Sequence, residues 1–116
     1  MRIIGNAGNS ARKVTAVASG ALATGDAVIV NADGTVSVVG GGNLTSENFI
    51  GIASNGYADG QSAAINAKGF VDDNQSGLTA GQSYYVQTDG TLSTTAGDPE
   101  VFAGTAVSAN KLIVKG

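Results

Sequence analysis

The residues best equipped for chemistry in this 116-residue chain are the adjacent carboxylates Asp72 and Asp73, which precede Asn74, with Asp98 and Glu100 in a later loop. Such oxygens suit a hard cation such as calcium, which takes six or more of them. Their spacing is not that of an EF-hand loop, and Asp-Asp-Asn ahead of Gln75-Ser76-Gly77 has the composition of a solvated turn. The turn reading outweighs the ion reading, and no metal is expected. His is absent, which removes the commonest general base and the usual partner of a serine nucleophile. The many Ser and Thr residues therefore read as turn and surface groups. No catalytic residue or cofactor site is assigned, and the chain is expected not to be an enzyme. Gly40-Gly41-Gly42 lacks the Lys and Ser or Thr of a phosphate loop and reads as a flexible, linker-like loop. Tyr84 and Tyr85 are neighbours, so on a strand one points inward and the other outward, where a ring can anchor a protein contact.

These side chains must be positioned by strands. Eighteen glycines and one proline punctuate the chain, and Val, Ile, Thr and Tyr dominate between them, a pattern of short strands with little or no helix. The core has to come from aliphatic residues, since 42% of residues are hydrophobic but only 5% aromatic. Such a core is thin, and burial against a neighbour adds stability to it. Only 13% of residues are charged and the net charge is −3, which argues against nucleic acid as a partner. Cys is absent, so no disulfide or thiolate site holds the fold. No apolar run approaches a membrane span or a signal peptide, and synthesis in a cytoplasm is expected.

An internal repeat is the most informative feature. Leu22 to Ser37 aligns without gaps on Leu78 to Ser93, with identities at Leu, Gly, Val, Asp-Gly-Thr and Ser, and each copy runs on to a Phe-x-Gly element at Phe49-Ile50-Gly51 and Phe102-Ala103-Gly104. The repeat thus covers 22–53 and 78–107. Leu-x-x-Gly is a turn, with Gly25 and Gly81 as its glycines, leading into strands at Ala27 to Val30 and Ser83 to Gln87. Asp33-Gly34 and Asp89-Gly90 supply the positive φ angles of tight hairpin turns, with return strands at Thr35 to Val39 and Thr91 to Thr94. The Phe-x-Gly strands follow, their Gly suited to a bulge or a close backbone crossing. Ser62 to Val71 reads as one longer strand interrupted by Gly69. Lys111 to Lys115 alternates poorly and reads as buried on both faces. The expected fold is all-β, a small β-barrel or β-sandwich of short antiparallel strands, with one domain over 14–116 and an extended N-terminal arm over 1–13.

The run from Val17 to Val30, then Phe49-Ile50-Gly51-Ile52-Ala53, then Ala58-Asp59-Gly60-Gln61 leading to Ile65 and Gly69, resembles small head decoration (cement) proteins of tailed bacteriophages. The half from Ser76 to Ser93 and on to Lys115 is similar to modules in tail-fibre and other virion proteins of marine phages, especially cyanophages. The resemblance implies a structural protein of the virion surface, assembled in the host bacterial cytoplasm. It also implies a homo-oligomer, commonly a trimer, that clamps the major capsid protein without nucleic acid or membrane. The arm, with Ile3 and Ile4, and the tyrosines Tyr57, Tyr84 and Tyr85 are the candidate interface. Two alternatives stand beside this reading: a tail-fibre or adhesin module whose tyrosines stack on a host glycan, and a self-assembling extracellular filament subunit joined by strand addition.

Overall fold

The structure, a computed structural model, describes residues 13–115. The arm positions Ile3 and Ile4 lie outside the described residues. Among the described residues ten strands follow one another: β1 (Lys13–Val17), β2 (Ala27–Val30), β3 (Val36–Val38), β4 (Phe49–Ala53), β5 (Ser62–Ala67), β6 (Val71–Asp72), β7 (Ser83–Val86), β8 (Leu92–Ser93), β9 (Phe102–Ser108) and β10 (Lys111–Val114). They form two five-stranded sheets in which every strand pair is antiparallel, ordered β1-β5-β4-β2-β3 and β6-β10-β9-β7-β8. Among the described residues there is no helix. The fold is an all-β sandwich.

The two sheet orders are the same, strand for strand, so the duplication reaches further than the aligned motifs. β5 corresponds to β10 and β1 to β6, making each half of the chain one complete sheet. Ser62 to Val71 is accordingly two strands in different sheets. β5 stops at Ala67, the Phe70 N–H turns back to the Ala67 carbonyl at 3.0 Å, and Gly69 takes φ 91°, a left-handed conformation that no extended strand passes through. Val71 then pairs with Ile113 of the second sheet.

Backbone bonds repeat as well. The Gly25 N–H donates to the Ala53 carbonyl at 2.9 Å and the Gly81 N–H to the Ala106 carbonyl at 2.8 Å, while the Asp26 and Gln82 N–H groups close turns onto Ala23 and Thr79 at 3.0 and 3.1 Å. With φ 87° and 86° at Gly25 and Gly81, these turns place glycine where a left-handed residue is needed, as Leu-x-x-Gly predicts.

The Asp-Gly hairpins differ in detail from a two-residue turn. The Gly34 N–H donates to the Asn31 carbonyl at 2.9 Å and the Asn31 N–H to the Thr35 carbonyl at 2.7 Å, with the same pair at Gly90, Gln87 and Thr91 at 2.9 and 2.8 Å. That is a three-residue loop closed by glycine, with φ 88° at Gly34 and 90° at Gly90. The Asp side chain then has its own task, described below.

The halves stack in tandem. Each sheet has an A face and a B face. In the first half the A face carries Ala27, Ile29, Phe49 and Ile52, and in the second the equivalent positions are Ser83, Tyr85, Phe102 and Thr105. The first half's B face, with Val28, Ile50, Ala53 and Ile65, is covered within that half by Ala18, Leu22 and Tyr57. Its A face packs on the second half's B face, bringing Ala27, Ile29 and Ile52 against Tyr84, Val86, Ala106, Leu112 and Val114 to form the main core. A face thus meets B face, and the A face of the second half is turned outward.

Two further expectations are corrected. β10 is not buried on both faces: Leu112 and Val114 are buried, while Ile113 between them is half-exposed on the A face. The Gly40–Gly42 loop is not a free linker. Leu44 beyond it enters the main core, Asn43 accepts from the Gly40 N–H and donates to the Val38 carbonyl, both at 3.0 Å, and Asn48 Nδ2 reaches the Asn43 carbonyl at 2.8 Å.

Candidate functional site

Asp72 is not a solvated turn residue, because it has 0% exposure. Its register explains why. Asp72 lies opposite Leu112 as Val14 lies opposite Ile65, so an aspartate occupies a B-face position of β6 whose counterpart in β1 is an exposed valine. Its Oδ1 accepts from Asn66 Nδ2 at 3.1 Å and Asn74 Nδ2 at 2.9 Å. Its Oδ2 accepts from Gln75 Nε2 at 2.9 Å and the Asn74 N–H at 3.3 Å. Gln75 also donates to the Gly25 carbonyl at 3.0 Å, and a side chain at Gly25 would meet the Asn74 carbonyl oxygen at 2.7 Å. Asn66 belongs to the first sheet and Asp72 to the second, so the cluster ties the halves together. Its carboxylate is already surrounded by N–H donors, whose positive ends repel a cation. The group is structural, with Asn66 Oδ1 its one buried oxygen that lacks a partner among the described residues.

Asp33 and Asp89 act within their own hairpins. The Thr35 N–H and hydroxyl donate to Asp33 Oδ1 at 3.0 and 2.6 Å, and Thr91 does the same to Asp89 at 3.0 and 2.7 Å. Asp-Gly-Thr is therefore one device: Gly closes the loop, and Asp fastens the first residue of the return strand. The threonine hydroxyl bond, then the backbone bond, hold both carboxyls below the ordinary aspartate value of 3.8. A depressed carboxyl contributes stability that is present above its unfolded pKa and is lost as pH falls through its folded one. The variant Asp33→Asn/Asp89→Asn should therefore lose less stability than wild type between about pH 5 and about pH 2 in urea titrations. Equal losses would show that the two carboxylates contribute nothing to the acid response.

The three candidate tyrosines separate. Tyr84 is core, 6% exposed, and its hydroxyl accepts from the Thr79 N–H at 2.8 Å. It is withdrawn as an interface residue because the B face on which it stands is the one packed on the first half. Tyr57 is half-buried over the first half's B-face core, with its hydroxyl 3.2 Å from Ser54 Oγ. Tyr85 is the outward one, and its ring lies 5.7 Å from that of Phe102 at a tilt of 57°, a favourable aromatic arrangement. On the same face stand Thr105, Ile113 and Val71, which follow one another across β9, β10 and β6. Val71 is 47% exposed. This patch, bordered on β10 by the exposed Lys111, is the candidate site.

Sequence reasoning found Tyr85 but missed Phe102, Ile113 and Val71. The signal was available in the repeat: Phe49 and Phe102 align, and only the direction of stacking decides which is covered. An open groove of about 290 Å³ lies where the halves meet, between Val14, Phe49, Ile50 and Val114, with Lys68 and Lys115 beside it. Its apolar walls and two ammonium groups position no reacting atom. Compared with known proteins, the chain matches no family model and no curated protein.

Proposed function

We propose that this chain is a structural virion protein that binds and stabilises the phage capsid surface as a decoration or cement protein, with the major capsid protein as its partner. The observation that supports the reading is how the polar groups are spent. Asp72, Asn66 and Gln75 join the halves, Asp33 and Asp89 fasten hairpins, and the sheet face left over carries the rings of Tyr85 and Phe102 with Ile113 and Val71 among a few polar side chains. A module of this design works by being one part of a larger assembly. The order of its motifs, which resembles that of decoration proteins, directs the reading to the phage head. The tail-fibre alternative needs several open rings to stack on sugar, but Tyr84 is buried and the Tyr57 hydroxyl is engaged by Ser54.

Adding the purified chain to phage heads that lack it, followed by imaging and copy counting, tests the proposal. Hundreds of copies spread regularly over the head, with increased resistance of the heads to heat, are the expected result. Density confined to tail fibres, or no binding, would refute it.

A further inference from the structure

We infer that Asn55 is a site of spontaneous covalent modification: its side-chain amide is lost through a succinimide formed with Gly56, leaving aspartate or isoaspartate at 55. Asparagine is among the thermolabile residues, and Asn55-Gly56 is the one Asn-Gly pair in the sequence. Glycine leaves the backbone nitrogen that follows Asn55 uncrowded. Both residues are exposed, in the loop 54–61 between β4 and β5. The Gly56 N–H donates to the Oδ1 of Asn55 itself at 2.8 Å, which brings the nitrogen up to the carbonyl group it must attack and draws electron density from Cγ. The Thr24 hydroxyl stands 3.5 Å from the same oxygen, where negative charge gathers as the nitrogen adds.

Water is the only co-reactant. A solvent base takes the Gly56 N–H proton, the nitrogen bonds to Cγ, the Cγ–Nδ2 bond breaks, and Nδ2 leaves as ammonia with a proton from water. A second water then opens the five-membered ring at either of its carbonyls. The leaving nitrogen is not held: among the described residues Asn55 Nδ2 makes no hydrogen bond, whereas the side-chain amides of Asn31, Asn43, Asn48, Asn66 and Asn74 all donate. Asn110 shares the unheld amide, but the residue after it is Lys111, which begins β10. The second half has no counterpart of the loop 54–61, since Ala109-Asn110 alone joins β9 to β10. The loop carries Tyr57, whose backbone exchanges two bonds with Leu22 at 2.8 and 2.9 Å and which covers the first half's B face with it. Isoaspartate at 55 lengthens the backbone by one carbon just ahead of that pairing and adds a negative charge to a chain of net −3.

The full chain, held below its melting temperature in mildly alkaline buffer, is sampled over weeks by ion exchange and peptide mass spectrometry. A growing fraction with one more negative charge is expected, with OH in place of NH₂ in the peptide containing Asn55, while Asn110 stays intact. Gly56→Ala should slow the change several-fold by crowding the attacking nitrogen, and Asn55→Gln should abolish it. Alanine fits at 56, where the backbone is not left-handed and a Cβ would make ordinary contact with the Leu22 carbonyl oxygen at 3.6 Å; the melting temperatures of the fresh variants check this. The aged wild-type fraction should melt several degrees below the fresh chain. An Asn55 that stays intact, a Gly56→Ala chain that ages as fast as wild type, or equal ageing at Asn110 overturns the site. An aged fraction that melts with the fresh chain overturns its effect on the Leu22–Tyr57 cover.

Discussion

Gly104→Ala and Gly51→Ala should each remove about 3 kcal/mol or more of folding stability, and the double variant should show no cooperative unfolding transition. Both glycines sit at the register shift where the Phe-x-Gly strand crosses its neighbours. A Cβ at Gly104 would overlap the Ile113 carbonyl oxygen, and one at Gly51 the Asn66 carbonyl oxygen. These oxygens belong to the adjacent strand, so relief requires the sheet itself to part. The backbone adds to the cost, since φ 155° and 156° are values that a side chain tolerates poorly. Domains of ordinary size are stable by only about 5–15 kcal/mol, so two such losses consume most of what is available. Gly81→Ala provides the comparison, because a Cβ there meets nothing within 4 Å and only the φ strain of about 1–3 kcal/mol remains. Urea unfolding of the three single variants checks the order; equal effects at 81 and 104 would refute the crossing argument.

Asp72→Ala should cost about 3 kcal/mol, because it strands several amide donors that the carboxylate satisfies. Four donor hydrogens on Asn66, Asn74 and Gln75 lose their acceptor together, and those that stay buried pay about 1–3 kcal/mol each. Asp72→Asn keeps the volume but brings an amide N–H₂ into a ring of donors, so it should recover only part of the loss. Asp73→Ala, at an exposed neighbouring position, should fall within about 0.5 kcal/mol of wild type. A mild Asp72→Ala phenotype by the same urea measurement would mean that the carboxylate contributes little to holding the halves together.

The contrast between Asp72 and Asp73 also marks where sequence reading succeeds and fails. Strand existence, turn positions and the internal repeat were legible because they depend on local chemistry: positive φ at Gly34 and Gly90, alternation through Ser83 to Val86, glycine at the two crossings. The burial of Asp72 was not legible, because it follows from which strand sits across from it. A polar run next to a glycine reads as a turn until Leu112 is placed opposite. The division of Ser62 to Val71 between two sheets was missed for a related reason. Its turn at Lys68-Gly69 carries a single left-handed residue, and the sheet to which Val71 returns is set by β10, more than thirty-five residues later in the chain. For the candidate site, Tyr85 could be found from its parity with Tyr84. Which of the two rings is open depends on the direction in which the halves stack, and that direction is a property of both cores together.

That direction has a temporal consequence. During synthesis the first half emerges before the second, and the contacts that close its B face, such as the Ala18 bridge to Val36 and the Leu22 pairing with Tyr57, all lie within it. It can therefore settle into a sheet while the ribosome is still translating. Its opposite side, bearing Ile29, Phe49 and Ile52, stays bare until β7, β9 and β10 arrive. A released chain truncated near residue 70 would thus carry a finished sheet with a sticky back, the kind of half-assembled species that aggregates or engages a chaperone, and the finished second half would serve as that sheet's own built-in cover.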